Sequence, residues 1–206
     1  MNIDSIMRMA PVIPVLTIEP GLDPAALAEA LVEAGLPVIE VTLRTPDALD
    51  AIRAMAGVTG AVVGAGTVLN EARLAQAIDA GAQFIVSPGL TNPMALAARD
   101  TAIPFLPGVA TASDIMRGLD LGLERFKFFP AEAAGGLPAL KALAAPFGNV
   151  RFCPTGGIRE SSAPQWLAHP SVLCVGGSWI VPAGERDLGT IGKLARTAAA
   201  LRESAP

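Results

Sequence analysis

Apolar and polar positions divide the chain into two alternating kinds of segment. Eight short apolar runs, rich in β-branched and aromatic residues, are separated by longer alanine-rich stretches. The runs begin at Pro11, Val38, Ala61, Phe84, Pro104, Arg125, Arg151 and Val172. Because each run is brief and apolar on both faces, the pattern predicts the strands of a parallel sheet whose outer face is covered by helices.

The alanine-rich stretches carry the residues that begin and end helices. In EPGLDPAALAEALVEAGL, Asp23 can cap a helix, Pro24 fills its first position and Gly35 ends it. The same signals predict helices at Thr45-Pro46, at Asn92-Pro93 and from Asn70 to Gly81. Strands therefore alternate with helices along the chain.

Eight such strand and helix units suffice to close a (β/α)8 barrel, the TIM barrel, over residues 1–206 as a single domain. The opening segment MNIDSIMRM predicts a short additional helix across the bottom of the barrel. An open, doubly wound sheet is the alternative architecture. In a barrel, functional residues belong at the C-terminal ends of the strands and in the loops that follow them.

Composition and charge limit the class of protein. Apolar residues make up 51% of the 206 residues, yet no apolar run approaches the roughly 18 residues that a membrane span requires. The first residues lack the apolar core and cleavage site of a secretory signal, so we expect a soluble protein of the cytoplasm. The net charge of −4 and the scattered arginines argue against nucleic acid as a partner.

The two cysteines and the one histidine restrict the chemistry. Cys153 and Cys174 each lie in an apolar strand-like run, where we expect buried thiols and no disulfide. His169 precedes a proline at the predicted end of a helix, where we expect a solvated side chain. A Ser-His-Asp triad would have to be built on this one histidine, and a metal site with two or three histidines is impossible.

Side-chain alternation along two of the predicted strands places charged residues inside the barrel. In VIEVTLR, the apolar residues must pack on the helices, so Glu40, Thr42 and Arg44 point inward. In RFKFFP, the same alternation directs Lys127 inward, on the same face as Arg125. The pattern does not decide whether Arg125 is buried and paired or lies at the lower rim of the barrel.

Lys127 is the leading candidate for a catalytic residue. A lysine in a strand ordinarily lies on an exposed edge, but a closed barrel has no edge. Burying an ammonium is costly unless the group is paired or loses its proton. A desolvated lysine that loses its proton readily is a nucleophile for ketones, as in class I aldolases and decarboxylases. Lys141 and Lys193 fall in helical segments and are predicted to be surface charges.

Glu40 has two possible roles beside such a lysine. It can neutralise the ammonium as an ion-pair partner, or it can carry protons to and from the substrate. Because the only histidine is elsewhere, Glu40 is the leading candidate for the general acid and base.

Glycine pairs follow the last two predicted strands, in TGGI (155–158) and VGGS (175–178). Such pairs leave backbone N–H groups uncovered, and the loops after the last two strands of a barrel often bind phosphate. We therefore predict a phosphate site there, with Ser178 adding a hydroxyl. The run GAGTVLN lacks the spacing and acidic residue of a dinucleotide motif. Thr67 in that run is instead placed to hold a carboxylate together with Arg44.

Six motifs together resemble the 2-keto-3-deoxy-6-phosphogluconate (KDPG) aldolase family, which comprises class I pyruvate aldolases. In chain order they are EVTLRTPDALDAIR, VGAGTVLN, SPGLTNP, FKFFPAE, RFCPTGGI and VLCVGGSWIVP, and the resemblance extends from about Pro11 to Pro182. The resemblance implies a homotrimeric (β/α)8 barrel that needs no metal or other cofactor and acts on a phosphorylated keto acid.

The resemblance also implies roles for particular residues. Lys127 would form the Schiff base, Glu40 would be the general acid and base, and Arg44 with Thr67 would hold the pyruvyl carboxylate. Pro88 would shape the pocket wall, and Thr155 would favour the gluconate over the galactonate substrate. The predicted phosphate-binding residues are Gly156, Gly157, Gly176, Gly177 and Ser178.

The implied reaction is the reversible cleavage of 2-dehydro-3-deoxy-6-phosphogluconate to pyruvate and D-glyceraldehyde 3-phosphate in the Entner-Doudoroff pathway. The same lysine chemistry can cleave 4-hydroxy-2-oxoglutarate, which is one alternative substrate. A barrel that binds phosphorylated sugars without turnover is the alternative from another class. The cost of burying Lys127 and Glu40 argues against it, and a metal-dependent aldolase ranks lower still.

Overall fold

The computed structural model describes residues 1–202, and the last four residues of the predicted domain lie outside that part. Within it, eight strands form one parallel sheet. The strands are β1 (Val12–Leu16), β2 (Val38–Thr42), β3 (Val62–Gly66), β4 (Phe84–Ser87), β5 (Phe105–Val109), β6 (Arg125–Phe128), β7 (Arg151–Pro154) and β8 (Val175–Gly177). Each predicted strand is confirmed.

Helices separate these strands as predicted. They are α1 (Ile3–Arg8), α2 (Pro24–Glu33), α3 (Ala48–Ala56), α4 (Glu71–Asp79), α5 (Asn92–Asp100), α6 (Ala112–Asp120), α7 (Gly136–Ala144), α8 (Ala163–Leu167) and α9 (Leu188–Ala199). A short 3-10 helix follows over Ala200–Arg202. No helix within residues 1–202 is long and apolar enough to cross a membrane.

The sheet closes on itself as a (β/α)8 barrel. Hydrogen-bonded neighbours follow the order β7-β6-β5-β4-β3-β2-β1-β8. Two isolated bridges, Phe152 with Val172 and Thr155 with Gly176, join β7 to the β8 segment and complete the ring. The barrel is confirmed, and the doubly wound open sheet is wrong.

Two apolar layers follow from side-chain alternation along the strands. Outward residues such as Ile39, Val41 and Phe126 pack with the helices in a large outer core. Inward residues form a second cluster inside the barrel, which includes Phe84 and Cys153. The strands are buried on both faces, as their continuous apolar runs predict.

Helix α1 covers the lower end of the barrel. Ile6 and Met7 are buried against the inner cluster. The Asp4 carboxylate accepts hydrogen bonds from Arg8 Nε at 2.7 Å and from Arg125 Nε at 2.5 Å. Because Arg125 is the first residue of β6, this contact joins α1 to the lower rim. Arg125 is thus both paired and at the rim.

Helix capping confirms most of the predicted helix starts. Asp23 caps α2 through Ala25 N at 2.9 Å, and Asn70 caps α4. The helix predicted at Thr45-Pro46 is present as α3, but its predicted start is wrong, because α3 begins after Asp47. At α5, the cap is Thr91, whose hydroxyl accepts from Met94 N, and Asn92 is already helical.

The cysteines and the histidine are only partly as expected. Cys153 and Cys174 are buried, as predicted, and form no disulfide. His169 follows the end of α8, as predicted, but it is half-buried rather than fully solvated. Its Nδ1 accepts from Ser171 N, and burial, aided by the charge of Lys141, lowers the pKa of the imidazole.

The hydrogen bonds that Asp4 accepts from Arg8 and Arg125, called the Asp4 clamp below, are expected to make the stability of the protein depend on pH. Its hydrogen bond with Arg8 is the largest influence, and the pKa of the Asp4 carboxyl lies below its ordinary value of 3.8. The stabilisation is therefore fully present above pH 3.8 and is lost as the pH falls through the lower folded-state pKa. We expect Asp4→Asn to lower the free energy of unfolding by about 1 kcal/mol at pH 7, and by less at a pH well below 3.8.

Urea denaturation at both pH values measures this difference. Asp79→Asn is the control, because Asp79 is exposed and forms no ion pair within residues 1–202. An equal loss for Asp4→Asn at both pH values would contradict the clamp.

Candidate active site

A buried ion pair lies inside the barrel. Lys127 Nζ is 2.9 Å from Glu40 Oε1 and 3.3 Å from Glu40 Oε2. Only 6% of the lysine and 3% of the glutamate are exposed. Lys127 is the third residue of β6 and Glu40 the third of β2, and both point inward as predicted.

The pair spans the full width of the barrel. Three strands separate β2 from β6 in each direction around the ring, so the two strands stand opposite each other. Their inward side chains can therefore meet only across the interior. Each charge offsets the desolvation cost of the other, and removal of one partner from such a pair typically costs about 3–5 kcal/mol.

Glycines on the two strands beside the pair allow other groups to approach closely. A Cβ at Gly66 would collide with the Glu40 carboxylate, and a Cβ at Gly108 would collide with the backbone of Pro88. Gly108 lies directly beside Lys127 in the register of β5 and β6. The sequence interpretation missed this function of the strand glycines, although glycine inside a strand often marks close approach of another group.

Aromatic residues complete the surroundings of the lysine. The ring of Phe129 has its centroid 5.4 Å from Lys127 Nζ. Phe84 fills the interior beside Gly64, where a Cβ would collide with its ring. The apolar inner cluster, which includes Ile6 and Met7 of α1, fills the lower end of the barrel. The route to the amine therefore runs from the C-terminal ends of the strands.

Arg44 and Thr67 lie at the mouth of the barrel in mutual contact. Arg44 Nε donates a hydrogen bond to Thr67 Oγ1 at 3.3 Å. The terminal nitrogens of this exposed guanidinium form no hydrogen bond with residues 1–202, so they are available to an anion. Thr67 has φ of +58°, a left-handed conformation uncommon outside glycine.

The two glycine pairs differ in conformation. Gly156 and Gly157 have φ of +105° and +82° and form a tight loop after β7. Gly176 and Gly177 instead belong to β8, and a Cβ at Gly176 would collide with Thr155 Oγ1. The Thr155–Gly176 bridge nevertheless brings both pairs together.

The remaining predicted residues border this region. Thr155 is buried with 6% exposure, whereas Pro88 and Ser178 are exposed at the mouth. A cavity of about 230 Å³ opens beside Ser178, between the ends of β1 and β8, and Arg186 paired with Glu19 at 2.9 Å borders it. Lys127 does not line that cavity.

The arrangement has a definite chemical capacity. An amine that contacts a carboxylate in a nearly dry interior can attack a carbonyl while the carboxylate exchanges protons with it. The Arg44 guanidinium at the mouth of the barrel can bind an anionic group. The fold and the site thus define a class, the TIM-barrel enzymes that act on carbonyl compounds.

Comparison with known proteins narrows the class. The profile described as KDPG and KHG aldolase matches residues 3–194. The 2-dehydro-3-deoxy-phosphogluconate aldolase of Zymomonas mobilis is 60% identical over 204 residues, which cover 99% of this chain and 98% of that protein. The chain belongs to the KDPG and KHG aldolase family, and it is a lyase.

Solved structures agree with this membership. The 2-keto-3-deoxy-6-phosphogluconate aldolase of Zymomonas mobilis with 3-phosphoglycerate has a TM-score of 0.94 at 61% identity, and the match covers 97% of this chain and 95% of that one. The KDPG aldolase of Legionella pneumophila, with pyruvate captured as a covalent carbinolamine intermediate, has a TM-score of 0.92 at 42% identity. That match covers 97% of this chain and 98% of the other.

Substitution of Gly66 tests whether the position of the Glu40 carboxylate matters. In Gly66→Ala the new methyl must displace the carboxylate from its contact with Lys127, because the two cannot occupy the same space. We expect the rate of aldol cleavage to fall by roughly 100-fold, the scale of a lost acid or base. Gly148→Ala is the control, since a Cβ there meets nothing within 4 Å. Full activity in Gly66→Ala would contradict the assigned geometry.

Proposed function

We propose that this aldolase reversibly cleaves 2-dehydro-3-deoxy-6-phosphogluconate to pyruvate and D-glyceraldehyde 3-phosphate through an imine on Lys127. The observation that carries the proposal is the 2.9 Å contact between Lys127 Nζ and Glu40 Oε1 in the barrel interior. The carbinolamine of the Legionella pneumophila relative supports it, because a carbinolamine is the adduct of an amine and a carbonyl.

The reaction begins when the neutral amine attacks the C2 ketone. The contact with Glu40 provides the route for the proton that the ammonium must lose, because the carboxylate can accept it directly. Glu40 returns this proton to the C2 hydroxyl of the carbinolamine, which leaves as water, so that a protonated imine and a free Glu40 carboxylate remain. This cation draws electrons toward C2 and makes the C3–C4 bond breakable.

Cleavage and release use the same carboxylate. Glu40 takes the proton of the C4 hydroxyl as the C3–C4 bond breaks, and the aldehyde product departs. The electron pair of that bond forms an enamine of pyruvate on Lys127. Glu40 then returns a proton to C3, and water hydrolyses the imine to free pyruvate and the amine. Each proton that Glu40 accepts is thus given back within the cycle.

The two ends of the substrate are anionic, and each has a candidate partner. The free terminal nitrogens of Arg44, with the Thr67 hydroxyl, would bind the carboxylate next to C2. The backbone of Gly156, Gly157, Gly176 and Gly177, with Ser178, would bind the phosphate. Pro88 and Thr155 would line the pocket between them.

We further propose that the enzyme is a homotrimer of the cytoplasm that serves the Entner-Doudoroff pathway. Three large apolar side chains are exposed on α5 and α6, namely Leu96, Met116 and Leu119. Burial of these side chains against another copy of the chain would remove them from water, which supports the proposed assembly. The molar mass in solution tests the assembly.

The imine step is tested by chemical trapping. Pyruvate and borohydride are expected to convert the imine to a stable secondary amine on Lys127, which peptide mass mapping locates. Lys127→Met should abolish the adduct, because a thioether has no amine to condense. Lys141→Arg should retain it, since Lys141 is exposed on α7. An adduct on another lysine, or none, would refute the mechanism.

The family also includes KHG aldolases, so 4-hydroxy-2-oxoglutarate is the second candidate substrate. It carries a carboxylate where the first substrate carries a phosphate. Ser178→Asp adds a negative charge at the proposed phosphate site. We expect kcat/KM to fall by roughly 100-fold for the phosphorylated substrate and only a few-fold for the other. Ser178→Ala separates loss of the hydroxyl from gain of charge, and equal losses for both substrates would place the phosphate elsewhere.

A further inference from the structure

The segment after the Lys127 strand is attached to the proposed phosphate loop by its backbone. Ala131 N donates to Thr155 O at 2.8 Å, and Glu132 N donates to Gly156 O at 3.0 Å. The chain that leaves β6 therefore runs beside the chain that leaves β7. Two backbone hydrogen bonds hold the segments together.

The Glu132 side chain strengthens this attachment. Its Cβ and Cγ lie 2.8 Å from the place where Gly157 would carry a Cβ, so the aliphatic stem packs closely on the bare face of that glycine. Its Oε1 accepts a hydrogen bond from Trp166 Nε1 at 3.1 Å. One side chain thus contacts both the loop and the helix that follows it.

Trp166 is itself immobilised. It belongs to α8 and is only 2% exposed. Its ring centroid lies 6.3 Å from that of Phe128, the residue next to Lys127. The indole therefore anchors the Glu132 carboxylate to the strand that carries the nucleophile, and through Glu132 it anchors the glycine loop.

The negative charge of Glu132 lies at the amino end of helix α7. Its Oε2 lies 3.4 Å from the position that a Cβ of Gly136 would occupy, and Gly136 is the first residue of α7. The amino end of a helix favours an anion. The charge therefore need not repel a phosphate on the other side of the loop.

We propose that Glu132 is a positioning residue that holds the Gly156–Gly157 loop in the conformation that receives the substrate phosphate. This inference rests on the proposed function of that loop. The side chain touches neither Lys127 nor the proposed carboxylate site. It is therefore expected to govern affinity for the phosphorylated substrate while leaving the imine chemistry unchanged.

Two substrates separate these effects, because pyruvate forms the imine and has no phosphate. In Glu132→Ala we expect the KM for 2-dehydro-3-deoxy-6-phosphogluconate to rise about tenfold, the scale of one lost hydrogen bond to a charged group. The kcat and the rate of borohydride trapping with pyruvate should stay within about twofold of the parent values, because the amine is untouched. Steady-state kinetics and mass spectrometry provide both readouts.

Companion variants identify the cause. Glu132→Gln keeps an oxygen that can accept from Trp166 Nε1 and should restore most of the KM. Trp166→Phe keeps a ring but removes the donor, so it should reproduce the KM of Glu132→Ala. The double variant should be no worse than either single variant, since both break one bond. Glu29→Ala, at an exposed position on α2, is the control for loss of a carboxylate.

Each other outcome overturns the proposal. An unchanged KM in Glu132→Ala and Trp166→Phe means that the hydrogen bond from Trp166 Nε1 to Glu132 does not position the Gly156–Gly157 loop. If Glu132→Ala weakens affinity for the phosphorylated substrate and slows pyruvate trapping to the same extent, and also lowers the Tm, Glu132 has a structural role only. A lower KM in both Glu132→Ala and Glu132→Gln means that the charge acts by repulsion. Failure of the parent protein to trap pyruvate would instead refute the proposed function, so the two failures are distinguishable.

Discussion

The contact between Lys127 and Glu40 is the constraint on which the rest of the site depends. Two charges are buried in the barrel interior, and each is tolerated because the other is within hydrogen-bond distance. Neither strand alone could hold the pair, since β2 and β6 lie on opposite sides of the ring. Closure of the barrel is therefore a condition of the chemistry, and glycine at position 66 follows from it.

The inward positions of Lys127 and Glu40 could be predicted because alternation along a strand is a local property. Their contact could not, since it depends on how eight strands close into a ring. Helix starts show the same limit. Asp23 was predictable from its own segment, whereas Thr45-Pro46 carries similar signals but lies in the loop before α3, which starts only after Asp47.

The loops at the mouth of the barrel show how similar motifs take different structures. The glycine pairs 156–157 and 176–177 look alike in sequence, yet the first is a left-handed loop and the second is strand backbone packed against Thr155 and Trp179. Glu132 escaped prediction because its partner Trp166 is 34 residues away along the chain. The one available signal was an acidic residue five positions after Lys127, in FKFFPAE.

A crystal structure after soaking with pyruvate tests the central claim most directly. The account predicts continuous electron density from Lys127 Nζ to C2 of pyruvate, with the Glu40 carboxylate within hydrogen-bond distance of the adduct and the pyruvyl carboxylate on Arg44 and Thr67. Pyruvate bound without a covalent bond to Lys127, or bound covalently with Glu40 turned away, would contradict it.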